Sequence, residues 1–160
     1  MSLRLVRVDD RLIHGQVVAV WLRAIGADRI VIVDDTVARD EFLVEVLTLA
    51  APAGVPVEVH DIATGAPRVA ELATGPESIF VLVKTPLTAL ALRRAGVAFD
   101  VLNVGGMGAG PGRRSLYRTI SASDEERAAF REIEKLGTAV EIRIIADDRP
   151  IPFGSVDRRG

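Results

Sequence analysis

Ile79-Phe80-Val81-Leu82-Val83, followed at once by Lys84-Thr85-Pro86, is the stretch that decides the fold. The five apolar residues are unbroken and rich in β-branched and aromatic types. A strand reads this way when helices cover both faces of a parallel sheet. Thr85 before Pro86 then marks a helix start, a cap followed by proline at the first helical position. Gly96 closes that helix. Ile30-Val31-Ile32-Val33 followed by Asp34-Asp35 has the same form. Outward from these two, apolar runs recur at Leu3–Val8, Val55–Val59, Val101–Val104 and Val140–Ile145. Between them lie helix signals. Val17, Trp21 and Ala24 or Ile25 share a face before Gly26, within a helix expected over Gln16–Ile25. Phe42, Leu43, Val46, Leu47 and Ala50 form a second stripe ended by Pro52. Ser123-Asp124-Glu125-Glu126 is a capping box ahead of Phe130, Ile133 and Leu136. This alternation predicts an α/β fold, an open, mostly parallel, doubly wound sheet flanked by helices. The last run alternates Val140, Ile142 and Ile144 with Glu141 and Arg143, as a half-exposed edge strand does.

At 160 residues the chain is the length of one domain. With no cysteine it holds no disulfide framework and no thiolate metal or redox site. Only His14 and His60 are available as imidazole ligands, so no metal and no cofactor is expected. A net charge of −2 and 4% aromatics argue against nucleic-acid binding. The apolar runs are too short to insert in a membrane, and the first residues lack a signal-peptide core. A single cytoplasmic domain over 1–160 is expected, with its core at about 3–150 and a short polar tail at 153–160.

In doubly wound sheets ligands sit beyond the carboxyl ends of the strands. There this chain places Asp9-Asp10-Arg11-Leu12-Ile13-His14-Gly15-Gln16, then Asp34-Asp35, His60-Asp61, Lys84-Thr85, and Asn103 with Gly105-Gly106-Met107-Gly108-Ala109-Gly110-Pro111-Gly112. His14 stands just before a helix, where free N–H groups and the helix dipole favour anions. A histidine there suits nucleophilic attack on phosphorus, with the Arg11 guanidinium as a fork for phosphate oxygens. On these residues alone, His14 as a local helix cap and Asp9-Asp10 as plain turn residues remain alternatives. The glycine run fits neither a dinucleotide fingerprint nor a P-loop. Pro111 or Arg113 stands where the third glycine belongs, and Pro111-Gly112 replaces Lys-Ser/Thr. It serves either as backbone that approaches the first loop closely or as a mobile connection. His60 reads as structural, having no helix or basic partner in sequence, and Trp21 as core.

Arg7-Val8-Asp9-Asp10-Arg11-Leu12-Ile13-His14-Gly15-Gln16-Val17 resembles the signature loop of the IIB subunits of the mannose/fructose/sorbose class of the bacterial phosphoenolpyruvate-dependent sugar phosphotransferase system. Val33-Asp34-Asp35, Ala51-Pro52-Ala53-Gly54-Val55, Lys84-Thr85-Pro86, Asn103-Val104-Gly105-Gly106-Met107 and Thr119–Glu126 follow in that family's order and spacing, so the resemblance covers about 3–150. It implies a mostly parallel sheet with an antiparallel edge strand near the C-terminus. It implies that His14 accepts a phosphoryl group from a histidine of a IIA protein and passes it to a hexose-type sugar moved by the membrane subunits IIC and IID. Arg11 would contact that group, and Asp10 would orient the loop or His14. Gly15, Gln16, Lys84, Thr85, Gly105 and Gly106 would bind the phosphoryl group or substrate. The subunit would be cytoplasmic and reach the membrane only through partners, with its donor on a separate polypeptide. Two departures stand out: the density of glycine at 108–112 and the short polar tail.

Two rival readings remain. One is a receiver-like signalling domain phosphorylated on an aspartate, with Asp9-Asp10, Asp61 and Lys84-Thr85-Pro86 as its pattern. The other is a non-catalytic regulatory paralogue that senses phosphorylation without passing the group on.

Overall fold

The computed structural model describes residues 2–157. Strand β1 (Leu3–Asp9) leads to helix α1 (Val17–Ile25), then β2 (Arg29–Val33), the short α2 (Asp35–Ala38) and α3 (Glu41–Ala50). β3 (Val57–His60), α4 (Ile62–Leu72), β4 (Ile79–Val83), α5 (Pro86–Arg94) and β5 (Val101–Gly106) follow. A hairpin of β6 (Arg114–Tyr117) and β7 (Ile120–Ala122) precedes α6 (Asp124–Lys135), β8 (Ala139–Ile142) and β9 (Ile151–Pro152). Seven strands form one sheet in the order β3-β2-β4-β1-β5-β8-β9, so β1 is central; β6 and β7 pair only with each other.

The mostly parallel sheet expected from sequence is present, and the alternation of side chains explains its layers. On β4, Ile79, Val81 and Val83 join the apolar cluster beneath α4, α5 and α6. Phe80 and Leu82, on the opposite face, join the cluster beneath α1 and α3. All five are fully buried, as a strand between two helical layers must be. Truncating Leu82 to alanine would cost about 2–5 kcal/mol through lost transfer energy and the cavity left behind.

Four expectations require correction. β8, read as the edge strand, is parallel to β5 and lies inside the sheet. The antiparallel edge is the two-residue β9, paired to β8 at Glu141–Pro152 and Ile142–Ile151. Glu141 is half-buried, flanked in the sheet by Asn103 of β5 and Pro152 of β9. The stretch after Pro152, expected as a short polar tail, packs on the rest of the fold: Phe153 is buried against Phe130, with ring centroids 4.9 Å apart, and Asp157 pairs with Arg131 at 2.8 Å. Residues 158–160 of the expected tail lie outside the described residues. On α3, Phe42 is 76% exposed and Val46 also faces outward, so only Leu47 of the expected stripe is buried there, with Leu43 half-buried. Leu136, assigned inward, is exposed beyond the end of α6. The remaining punctuation holds. Gly26 takes the left-handed conformation after α1, and Ser123 and Glu126 form the reciprocal capping box. The β6–β7 hairpin carries no strong turn dipeptide; Arg118, with φ 48°, makes the turn instead.

Candidate functional site

β1 is hydrogen-bonded to β4 on one side and β5 on the other, with Val8 level with Val83 and Val104 and Asp9 opposite Gly106. This register brings the first loop, Lys84-Thr85 and Gly105-Gly106 to one place at the carboxyl edge. The loop is tightly built. Leu12 donates its N–H to the Asp9 carbonyl at 2.9 Å and takes φ 56°. That conformation costs a leucine of the order of 1–3 kcal/mol and persists only because its surroundings enforce it. The enforcement is burial: Leu12 and Ile13 are both sunk in the core beside α1. Arg11 and His14, on either side of this anchor, are left accessible. Gly15, with φ 51°, then turns the chain into α1.

Beneath the loop lies a charge network that sequence reasoning missed. Arg7 is buried within β1 and donates to Asn103 Oδ1 (2.6 Å), to the carbonyls of Arg143 (2.9 Å) and Ile144 (3.0 Å), and to Asp9 Oδ2 (3.4 Å). Its guanidinium also stacks 4.6 Å from the Trp21 ring centroid. Burial lowers the Arg7 pKa to about 10, and the Asp9 charge opposes that shift, so the group stays charged at neutral pH. Asp9, equally buried, accepts the Arg11 backbone N–H at 3.1 Å and contacts His14 Nε2 at 3.3 Å. A signal existed in the sequence. An arginine inside a strand buried on both faces needs a partner, and a residue two positions on lies on the same side of the strand.

The adjacent aspartates therefore divide the work. Asp10, expected to orient the loop or His14, faces away from His14. Its Oδ2 accepts the Gly108 N–H at 2.8 Å and lies 3.4 Å from Arg113. Successive residues leaving a strand point to opposite sides, and Asp9 already occupies the inner one. Arg113 also donates to Gly108 O (2.8 Å) and makes two bonds to Glu126 (2.9 and 2.8 Å). The glycine run is thus fastened to the first loop. Two of its members have no alternative: a Cβ on Gly105 would sit 1.9 Å from Arg7 Cζ, and one on Gly106 would sit 2.4 Å from Asp9 Oδ1.

A cleft of about 760 Å³ opens beside this loop, lined in part by Asp10, Arg11, Lys84, Thr85, Gly105 and Gly106. Among the described residues neither Arg11 nor Lys84 makes a side-chain hydrogen bond or ion pair, and the Thr85 hydroxyl makes no capping bond. His14 does not line the cleft. It touches Asp9, whose carboxylate rests against Gly106 of the cleft wall. Gly15 and Gln16, counted with the phosphoryl-binding residues, do not line it either. Gln16 borders a small apolar cleft of about 170 Å³ with Val17, Val20, Trp21 and Ile145.

The other acidic residues are engaged elsewhere. Asp34 caps α2 through Val37 N, Asp35 accepts from Ile62 N, and Asp61 caps α4 through Thr64. Asp61 follows β3, three strands from β1 in the sheet, which at ~4.8 Å per step places it about 14 Å from the Asp9-Asp10 pair. A receiver needs those carboxylates on one ion, and this strand order parts them. Among the described residues no cluster of three or more His, Cys, Asp or Glu could hold a metal. His60, read as lacking a helix or basic neighbour, stands just before α4 and bonds Glu58 at 2.8 Å. Glu58 in turn pairs with Arg29 at 3.1 Å and Arg68 at 2.8 Å.

Residues 3–156 match the family model for the sorbose-subfamily IIB component of the phosphotransferase system. The chain belongs to that family. It is 38% identical over 148 residues to the sorbose-specific EIIB component of Klebsiella pneumoniae, covering 92% of this chain and 90% of that one. It is 29% identical over 158 residues to the fructose-specific EIIB component of Bacillus subtilis, covering 99% and 97%. The mannose-specific EIIAB component of Escherichia coli is 32% identical over 152 residues, 92% of this chain and 46% of that longer protein. The crystal structure of the IIBSor domain of the Klebsiella pneumoniae sorbose permease superposes with a TM-score of 0.89 at 37% identity, covering 95% and 93%. This sorbose-type IIB component is accordingly a phosphotransfer subunit of sugar transport. Among its described residues no helix is long and apolar enough to cross a membrane.

Proposed function

We propose that His14 accepts a phosphoryl group from a histidine of a IIA component and passes it to a hexose-type sugar held by the membrane subunits IIC and IID. One observation carries the reading: the imidazole is held through Nε2 by Asp9, three positions along the loop from Arg11, whose guanidinium makes no hydrogen bond or ion pair among the described residues. An ionised Asp9 only accepts, so the hydrogen lies on Nε2 and the Nδ1 lone pair is left for attack. Nδ1 attacks phosphorus in line, and the bond to the donor imidazole breaks. In the second half-reaction the sugar hydroxyl attacks phosphorus, the new P–O bond forms as the P–Nδ1 bond breaks, the hydroxyl proton passes to water, and His14 leaves as the neutral ring.

Phosphoryl transfer asks for placement and charge stabilisation more than for bond-making help. Leu12 and Ile13 fix the placement. Arg11 spreads over the transferring oxygens, and the amides opening α1 add donors of the right sign. Asp9 steadies the ring as positive charge develops on it. Lys84, Thr85 and the Gly105-Gly106 backbone hold the far side of the group. This chemistry draws on no metal and no cofactor. The subunit works at the cytoplasmic side and meets the membrane through IIC and IID.

Reconstitution tests the reading. Protein labelled by phosphorylated IIA, then mixed with vesicles bearing IIC and IID, should lose its label to the sugar when sugar is added. Label that remains on the protein, with sugar and both membrane subunits present, would contradict onward transfer and favour a sensing role.

A further inference from the structure

We propose that the 760 Å³ cleft binds the sugar phosphate product, and that free hexose phosphate thereby inhibits acceptance of the next phosphoryl group. The inference rests on the proposed transfer to a sugar and adds a regulation of that site. Size is the first argument. A cleft of this volume matches sites for whole small molecules. A phosphoryl group on His14 would fill little of it, and His14 does not line it.

Charge is the second. Arg11 and Lys84 face one cleft, neither with a carboxylate partner among the described residues. The acidic group that does line it, Asp10, is taken up by Gly108 N and Arg113. Two like charges sharing a cleft repel, and a dianion relieves that repulsion.

The rest of the wall suits a sugar rather than bare phosphate. The hydroxyls of Thr85 and Thr119 border the cleft and make no side-chain hydrogen bond among the described residues. They can donate to and accept from sugar hydroxyls. Met107 and Ile144 supply an apolar patch for the C–H face of the ring. With its phosphate on Arg11 and Lys84 and its ring toward Thr119, a hexose phosphate occupies the cation that an incoming phosphoryl group needs. Binding therefore competes with phosphorylated IIA, and a rising product level slows transfer.

The test measures phosphoryl transfer from preformed phospho-IIA with mannose 6-phosphate, fructose 1-phosphate, mannose or inorganic phosphate present. Amide NMR titrations of the unphosphorylated protein with the same four compounds run beside it. Hexose phosphates should inhibit competitively with phospho-IIA and shift the amides of Lys84, Thr85, Gly105–Gly108 and Thr119. Free mannose should do neither. Inorganic phosphate should be about tenfold weaker, the loss expected for one or two net hydrogen bonds. Thr119→Val should weaken hexose phosphate about threefold, as one net hydrogen bond would, with uninhibited transfer unchanged. Inorganic phosphate as potent as hexose phosphate, or shifts confined to residues outside the cleft, would overturn the proposal. If the protein accepted no phosphoryl group at all, the His14 reading would fail in the transfer assay. The titration would still decide whether the cleft takes a sugar phosphate.

Discussion

His14 and His60 each contact a carboxylate at the carboxyl edge of the same sheet, and their surroundings differ in one respect that matters. Glu58, the partner of His60, is shared with Arg29 and Arg68, and Arg29 in turn holds Glu77 at 2.7 and 3.0 Å. Arg29 and Arg68, the two cations bonded into this cluster, are each answered by carboxylates. Asp9, the partner of His14, is answered by the buried Arg7, while the exposed Arg11 next in the loop has no partner among the described residues. A histidine–carboxylate pair is therefore no mark of function by itself. The free cation beside it, on a backbone held in a costly conformation, is what distinguishes the two.

Substitutions can break this comparison in order of severity. His14→Ala should abolish phosphoryl acceptance, while His60→Ala should leave it intact; phosphorylation by phospho-IIA reads both. Arg11→Ala removes one charge-assisted contact of about 1.5–3 kcal/mol and should slow transfer by roughly one to two orders of magnitude, leaving the Tm nearly unchanged. Arg68→Ala, its counterpart in the closed cluster, should leave the rate alone. Asp9→Asn keeps the shape but takes the counter-charge from buried Arg7. It should slow transfer about tenfold, through a looser imidazole, and lower stability by about 3 kcal/mol in denaturant unfolding.

The smallest effect sharpens the comparison by pH. The hydrogen bonds from Arg68, then the one from His60, hold the Glu58 carboxyl down at about 2, against the opposing effect of its burial. A depressed carboxyl contributes stability that is fully present above its unfolded value and disappears as pH falls through the folded one. The stability gap between wild type and Glu58→Gln should thus be constant near neutrality and close between about pH 5 and pH 2. Phosphoryl transfer at neutral pH should be the same in both. A transfer defect in Glu58→Gln would erase the distinction drawn between the clusters.

Much of this molecule is legible in its sequence, for local reasons. Ile79–Val83 and Ile30–Val33 announce doubly covered strands, and Ser123 and Glu126 announce their own cap. The first loop announces itself by carrying polar residues to the carboxyl end of a strand. What stayed hidden depends on pairing across the chain. Strand order decides that Asp61 lies far from Asp9, and no local pattern encodes strand order. Asp9 and Asp10 look alike in sequence because their roles are set by Arg7 below and Gly108 above, the latter 98 positions away. Glycine density at 105–112 signalled close approach, and only the fold identified Arg7 and Asp9 as the groups approached. β8 was misread because its alternation separates two faces, with Val140 and Ile142 packed beneath α6 and Glu141 on the other side, and says nothing of whether the strand lies at the edge.

The position of the phosphoryl group after transfer from phosphorylated IIA tests the central claim most directly. Peptides mapped by mass spectrometry under alkaline conditions, together with phosphorus NMR of the intact protein, locate it. Phospho-IIA should be prepared beforehand and the transfer step run in EDTA. The account predicts one phosphoryl group on His14, bonded through Nδ1, stable in strong base and formed undiminished in EDTA. A group on His60, or a hydroxylamine-sensitive acyl phosphate on Asp9, Asp10 or Asp61, would contradict it.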